Sequence, residues 1–140
     1  MDPIRECCGG YRHCHALLRD DGRTSQATNA VRGALSEMQA IQSAIVDSWI
    51  EIQQHRLMMY KYAEKGDRGD DTRVEAAVTK FTCTEMVWRI IDRAIQIHGG
   101  AGCTYESPLA HWYDKQRMAR IYEGATEVLK YRALARRLLA

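Results

Sequence analysis

Between Pro3 and Pro108 the chain contains no proline, and two long segments in that interval repeat apolar residues at steps of three and four. Leu35, Met38, Ile41, Ile45, Trp49, Ile52, Arg56 and Met59 form the first stripe. Its one charged member can still pack its stem. Val74, Val78, Phe81, Trp88, Ile91 and Ile95 form the second, with Ala77, Met86 and Ala94 beside it. A period near 3.6 specifies helix and excludes strand. The first helix is expected from about Leu35 to Ala63, with Ser36 and Gln39 spaced as a capping box. Glu64 to Asp71, with its glycines and charges, reads as a solvated turn. The second helix then runs to His98, where Gly99 and Gly100 stop it. Two such helices are each roughly 40 Å long and, joined by a short turn, lie antiparallel.

Two further helices follow. Ser107 is placed as an N-cap and Pro108 at the first helical position, giving a helix from Pro108 to Ile121. Gly124 interrupts, and a last helix from Thr126 to Leu139 carries Val128, Tyr131, Leu134, Ala135 and Leu138. The stretch from Arg19 to Asn29 reads as loop or disorder. The expected fold is all-α, an up-and-down antiparallel helical bundle over residues 34–140, preceded by a segment at 1–33 that is partly loop or disordered. Two long stripes exceed what one short helix can cover, so self-association or packing against a further domain is expected.

A formal charge of +2 on 140 residues gives no reason to expect nucleic acid or an acidic membrane as partner. No apolar run approaches the roughly 20 residues of a membrane helix, so no membrane insertion is expected. Five cysteines, an odd number with no C-x-x-C pair, argue against a disulfide framework and for an intracellular, reducing setting. Cys7, Cys8, His13, Cys14 and His15 crowd together, but a single knuckle with adjacent cysteines is a poor zinc site, and no metal is expected. Trp49, Phe81 and Trp88 read as core or interface, and Cys83 as buried packing. Glu85, Arg89 and Asp92 read as a solvated, salt-bridged face.

Three stretches together carry a resemblance: "LSEMQAIQ" (Leu35 to Gln42), "AIQIHGGAG" (Ala94 to Gly102) and "SPLAHWYDKQRMARIYEGATEV" (Ser107 to Val128). In this order and spacing the region from Ala34 to Leu139 resembles the C-terminal helical domain of the acyl-CoA dehydrogenase flavoproteins. The family's Arg-x-x-Phe-Gly motif is not matched, since Thr28 and Val31-Arg32 stand at its positions.

The resemblance implies an FAD-dependent oxidation of an acyl-CoA. Glu123, in Tyr-Glu-Gly, matches the base that removes the proton alpha to the thioester carbonyl while a hydride leaves the beta carbon. Such a carboxylate needs a water-poor surrounding that raises its pKa. Gly124 falls where the acyl chain passes the backbone. Ala125, Thr126 and Glu127 fall where the family approaches the flavin or its phosphates. Gln96, Ile97, His98, Gly99 and Gly100 match the segment that holds the ADP portion, across a subunit interface. Gln39 lies where the family also contacts the cofactor. His98 by itself reads as a helix-end histidine. A dimer or tetramer is implied, cytoplasmic in a bacterium and mitochondrial or peroxisomal in a eukaryote. The domains that build much of the acyl-CoA site do not fit in this length, so the chain alone is expected to be inactive. The other reading is a non-catalytic oligomerisation or interaction module on the same bundle.

Overall fold

The computed structural model describes residues 14, 16–17, 19–25, 29–30 and 33–140. A first helix, α1, is seen at residues 14, 16–17 and 19–25. Residues 20–25, read from the sequence as loop, are therefore helical. The clustered Cys7, Cys8, His13 and His15 lie outside the described residues. Cys14 is buried in the main core with Leu17 and Ile52. Burial and the Glu51 charge push its thiol up to about 12, so it stays protonated. A short antiparallel bridge joins Asn29–Ala30 to Gly33–Ala34.

Two long helices follow, α2 (Gln39–Asp67) and α3 (Arg73–His98). The expected capping box does not form. Leu35–Glu37 make a 3-10 turn, Met38 is extended, and no side chain caps α2. Gln42 Nε2 instead donates to Ser36 O at 2.8 Å. At its other end α2 outlasts the expected stop at Ala63. Lys65 sits in the last turn, where a cation faces the helix dipole favourably, and it pairs with Glu75. The turn closes at Gly69, with φ 80°, and Asp71 Oδ1 accepts from Arg73 N at the start of α3.

Side-chain pairs fix the register. Glu51 on α2 takes Arg89 and Arg93 of α3, and Lys65 takes Glu75, so the two helices run antiparallel. Glu85, Arg89 and Asp92 thus do not form a face of their own. Arg89 is spent on Glu51, and Glu85 reaches Arg120 and Lys130.

The first stripe is rotated from its expected orientation. Ile52 and Met59 are buried, but Ser48 rather than Trp49 joins them, and Trp49 is 54% exposed. Ser48 is admitted because its hydroxyl bonds back to Ala44 O at 2.7 Å and accepts from Arg93. Helix α3 is buried on several sides and is the axis of the bundle. Met86, Val87, Ile90, Ile91 and Ala94 meet Ile52 and Leu109 in the main core. Full burial of each large apolar side chain contributes about 1.5–3 kcal/mol.

Helix α4 (Pro108–Ala119) begins as the sequence predicts, with Ser107 accepting from Leu109 N at 3.3 Å. It packs on α3 through Leu109 and a Trp88–Tyr113 ring pair 5.2 Å apart. After a turn, α5 (Thr126–Leu129) passes through a π-helical stretch (Lys130–Ala135) into α6 (Arg136–Leu139). This last rod also runs opposite to α3. Lys130 stands over the Phe81 ring, Leu134 shares a cavity with Val74 and Val78, and Arg137 shares one with Asp71 and Glu75. Helix α4 covers the C-terminal half of α3, and α5–α6 cover its N-terminal half in the same direction. The break between them falls part-way along the bundle, not at its end.

Candidate functional site

Residues 120–125 form that break. Helix α4 ends at Arg120, and Tyr122 N still bonds to Met118 O at 3.2 Å. The chain then reverses its backbone sense. Glu123 has φ 53° and Gly124 φ 102°, and Glu123 is the single non-glycine residue with positive φ among the described residues. Holding a side chain left-handed costs about 1–2 kcal/mol. Such strain clusters at functional positions. At Gly124 an added Cβ would stand 3.0 Å from Leu129 Cδ2, so this chain's own backbone and packing already require glycine there. Thr126 N returns to Arg120 O at 3.1 Å and closes the turn.

Glu123 is exposed, and so are Met118, Ile121, Tyr122, Val128 and Tyr131 around it in sequence. The carboxylate thus stands on a turn rich in uncovered apolar side chains. Ala125 is half-buried and Glu127 exposed, whereas Thr126 is fully buried.

Beneath the turn lies a residue that sequence reading missed. Lys80 is 3% exposed, and its Nζ donates to Ala119 O at 2.9 Å, Tyr122 O at 2.9 Å and Gly124 O at 2.7 Å. A helix that stops against the middle of its neighbour leaves carbonyls without intrahelical donors. The ammonium has three donors and meets three such oxygens. A signal was present in the sequence. Ala76, Lys80, Cys83 and Val87 recur at steps of four, three and four, which is an apolar line with one cation in it. Glu85 adds a second tie, 3.5 Å from both Arg120 and Lys130 on either side of the turn.

The other expected site residues lie elsewhere. Between Lys80 and His98, α3 rises roughly 27 Å, so the segment Gln96 to Gly100 is far from Glu123 in the same chain. The α2–α3 register brings Gln39 to the same end as that segment. Gly99, with φ 59°, ends α3 with its N–H on Gln96 O. Gln96 is exposed, while Ile97 is buried and can offer only backbone to a ligand. Among the described residues no atom stands within 4 Å of where a Cβ on Gly99 or Gly100 would sit, so this backbone is open to close approach from them.

His98 is turned inward. Nδ1 is 2.9 Å from Ala94 O and 3.4 Å from Asp21 Oδ1, and Nε2 is 3.2 Å from Thr24 Oγ1. It fastens α1 to the end of α3. Burial pushes the Asp21 carboxyl up to about 6, with the nearby His98 opposing the rise and Asp20 adding to it. A cavity of about 650 Å³ opens beside this contact, lined by Arg19, Arg23, His98, Pro108 and Trp112 among others.

The fold is thus a helical bundle with a left-handed carboxylate turn part-way along its axis and an exposed glycine turn at one end. The chain belongs to the acyl-CoA dehydrogenase family: residues 4–139 match the family described as "Acyl-CoA dehydrogenase, C-terminal domain". The match extends upstream of Ala34, where the quoted motifs begin. The chain is 43% identical over 107 residues to (R)-benzylsuccinyl-CoA dehydrogenase of Thauera aromatica, covering 76% of this chain and 26% of that one. It is 33% identical over 94 residues to the short-chain specific acyl-CoA dehydrogenase of Megasphaera elsdenii, covering 67% of this chain and 24% of the relative. Butyryl-CoA dehydrogenase from Megasphaera elsdenii superposes with a TM-score of 0.90 at 28% identity, over 99% of this chain and 36% of the other. The chain spans about a quarter to a third of the length of the curated relatives it matches.

The solved FAD complex of PigA superposes with a TM-score of 0.85 at 26% identity, over 92% of this chain and 33% of that one. The open backbone at Gly99 and Gly100 and the exposed Gln96 fit a phosphate-bearing cofactor at one end. Ala125, Thr126 and Glu127 lie at the other turn, roughly 27 Å away along α3; the Glu127 carboxylate would oppose a phosphate there. Among the described residues no helix is long and apolar enough to cross a membrane.

Proposed function

We propose that this chain is the C-terminal helical domain of an FAD-dependent acyl-CoA dehydrogenase, with Glu123 as the base that removes the proton alpha to the thioester carbonyl. The observation that carries this reading is the left-handed backbone at Glu123, set in the Tyr-Glu-Gly of a family member. A carbon acid this weak is deprotonated only by a base held in place and kept from water. The turn supplies the first requirement, and the apolar Met118, Ile121 and Tyr122, once covered, supply the second. Gly124 lets the acyl chain pass the backbone beside the base. FAD, when bound, supplies the acceptor for the hydride from the beta carbon. Ala125 and Glu127 border it at the turn, while Thr126, expected beside them, is buried. Gln39 and the segment Gln96, Ile97, His98, Gly99 and Gly100 border it from a second copy of the chain, because the two sets are too far apart within one.

The acyl-CoA and the remaining walls of the site belong to a larger assembly, so the isolated chain is inactive in this reading. The compartment is a reducing intracellular one. The test is flavin retention followed by reduction with an acyl-CoA. A yellow assembly that bleaches with acyl-CoA and stops bleaching in Glu123→Gln supports the proposal. Bleaching that persists in Glu123→Gln overturns the assignment of the base. The exposed apolar side chains of α2 favour a second reading, a non-catalytic oligomerisation module. Colourless protein whose melting temperature does not move with added FAD selects it.

A further inference from the structure

The break between α4 and α5 raises a problem that a turn at a bundle's end does not have. The carbonyls of Ala119, Tyr122 and Gly124 point at the flank of α3, where water is scarce, and unpaired buried carbonyls are costly. Buried lysines are rare unless fully paired, and Lys80 is paired with all three. The three acceptors bracket Glu123: one ends α4, one precedes Glu123 and one follows it. Tyr122 O belongs to the peptide plane before Glu123 and Gly124 O to the plane after Gly124, so one nitrogen ties the chain on both sides of the Glu123–Gly124 pair and restricts their dihedrals together. A neutral side chain with one donor could fix one plane only.

We propose that Lys80 is a positioning residue, whose ammonium holds the backbone of Glu123 in its left-handed conformation and thereby aims the carboxylate. This rests on the reading of Glu123 as the base, and extends it by naming what keeps the base in register. Lys80 is buried beneath the turn and away from its exposed face. It acts through three main-chain oxygens.

The test uses the 140-residue chain and Lys80→Met, which keeps an unbranched stem and removes the donors. The ¹³Cα and ¹³Cβ shifts of Glu123 report its backbone conformation. Amide exchange at Tyr122 and Thr126, both bonded within the turn, reports its opening. In Lys80→Met the Glu123 shifts leave the left-handed range, and exchange at Tyr122 and Thr126 quickens at least about tenfold. Exchange at Ile90 and Ala94 in the core stays as it was. Unchanged Glu123 shifts in the folded variant overturn the proposal.

If Lys80→Met does not fold, the wild-type chain decides. The Lys80 ¹⁵Nζ resonance then exchanges slowly and shows through-bond couplings to the three carbonyls, unlike exposed Lys61 and Lys115. A fast-exchanging Lys80 ammonium overturns the proposal. Glu123→Gln in the flavin-loaded assembly tests the base separately. Activity retained there removes the proton-transfer role, while the Glu123 shifts still decide what Lys80 does.

Discussion

Glu123 and Gly124 divide the work of the turn. Glu123 adopts a backbone conformation that its Cβ resists, and Gly124 adopts one that a Cβ could enter only against Leu129. The strain is tolerated because hydrogen bonds on both sides over-determine the geometry. Gly124→Ala is accordingly expected to destabilise the chain by about 1–3 kcal/mol, from left-handed strain and the Leu129 clash together. Urea denaturation measures this. An unchanged midpoint would mean that the turn has another conformation. The motif around Glu123 was legible because its residue types follow each other in the chain. Lys80 was marked only as a cation in an apolar line, and its role was hidden because its partners lie 39 to 44 residues away and are main-chain oxygens that carry no residue identity. Nothing in a helical period says which lysine will find carbonyls when the helix is packed.

At the level of elements, the boundaries set by local chemistry were readable and those set by packing were not. Ser107 and Pro108 began α4 through a capping hydroxyl and a ring-fixed φ, and Gly99 ended α3 because, without a Cβ, it takes positive φ freely. The inner face of α2 was misplaced at Trp49 because a small hydroxyl, Ser48, can satisfy itself on Ala44 O and meet Arg93. The α2–α3 pair also carries a pH signature. Burial pushes the Glu51 carboxyl up, but hydrogen bonds and charge from Arg89 and Arg93 outweigh it and hold it below the ordinary range. The stability it contributes is present above the unfolded value of about 4.3 and is lost as pH falls through the lower folded value. Asp21 has the opposite sign. Its folded carboxyl is raised to about 6, so its effect is favourable in acid and is lost as pH rises from about 4 to 6. Melting temperatures of Glu51→Gln should fall below wild type at pH 7 and converge with it as pH falls through the lowered folded value. Those of Asp21→Asn should exceed wild type at pH 7. A Glu51→Gln deficit that persists undiminished in acid would place the Arg89 and Arg93 contacts outside the stabilising set.

On the scale of the whole molecule, the uncovered apolar surface is the dominant fact. Val46, Trp49, Ile50, Leu57 and Tyr60 are exposed along α2, and Met118, Ile121, Tyr122, Val128 and Tyr131 surround the carboxylate turn. Patches of this extent mark interaction surfaces in soluble proteins. Light scattering should find the chain as a dimer or tetramer. Trp49→Asp with Leu57→Asp should shift it toward monomer without loss of helical signal. A wild-type monomer would mean that these faces belong to partners other than a second copy. The all-α class and the length of the long helices were plain in the sequence, since proline's absence and the 3.6 period act over tens of residues. The assignment of each exposed side chain to a neighbour was not, because an apolar residue facing a subunit looks the same in sequence as one facing its own core.

The placement of α4 and α5–α6 end to end along one neighbour gives the turn between them a mechanical role. It works as a coupling between two shafts, and its length sets their relative phase. Removing one residue from 120–125 would rotate everything downstream by about 100° and draw it back by about 1.5 Å. Leu134 would swing off Val74 and Val78, and Arg137 away from Asp71. Natural variation in this segment should therefore take the form of substitution, while insertions and deletions accumulate in the other connections.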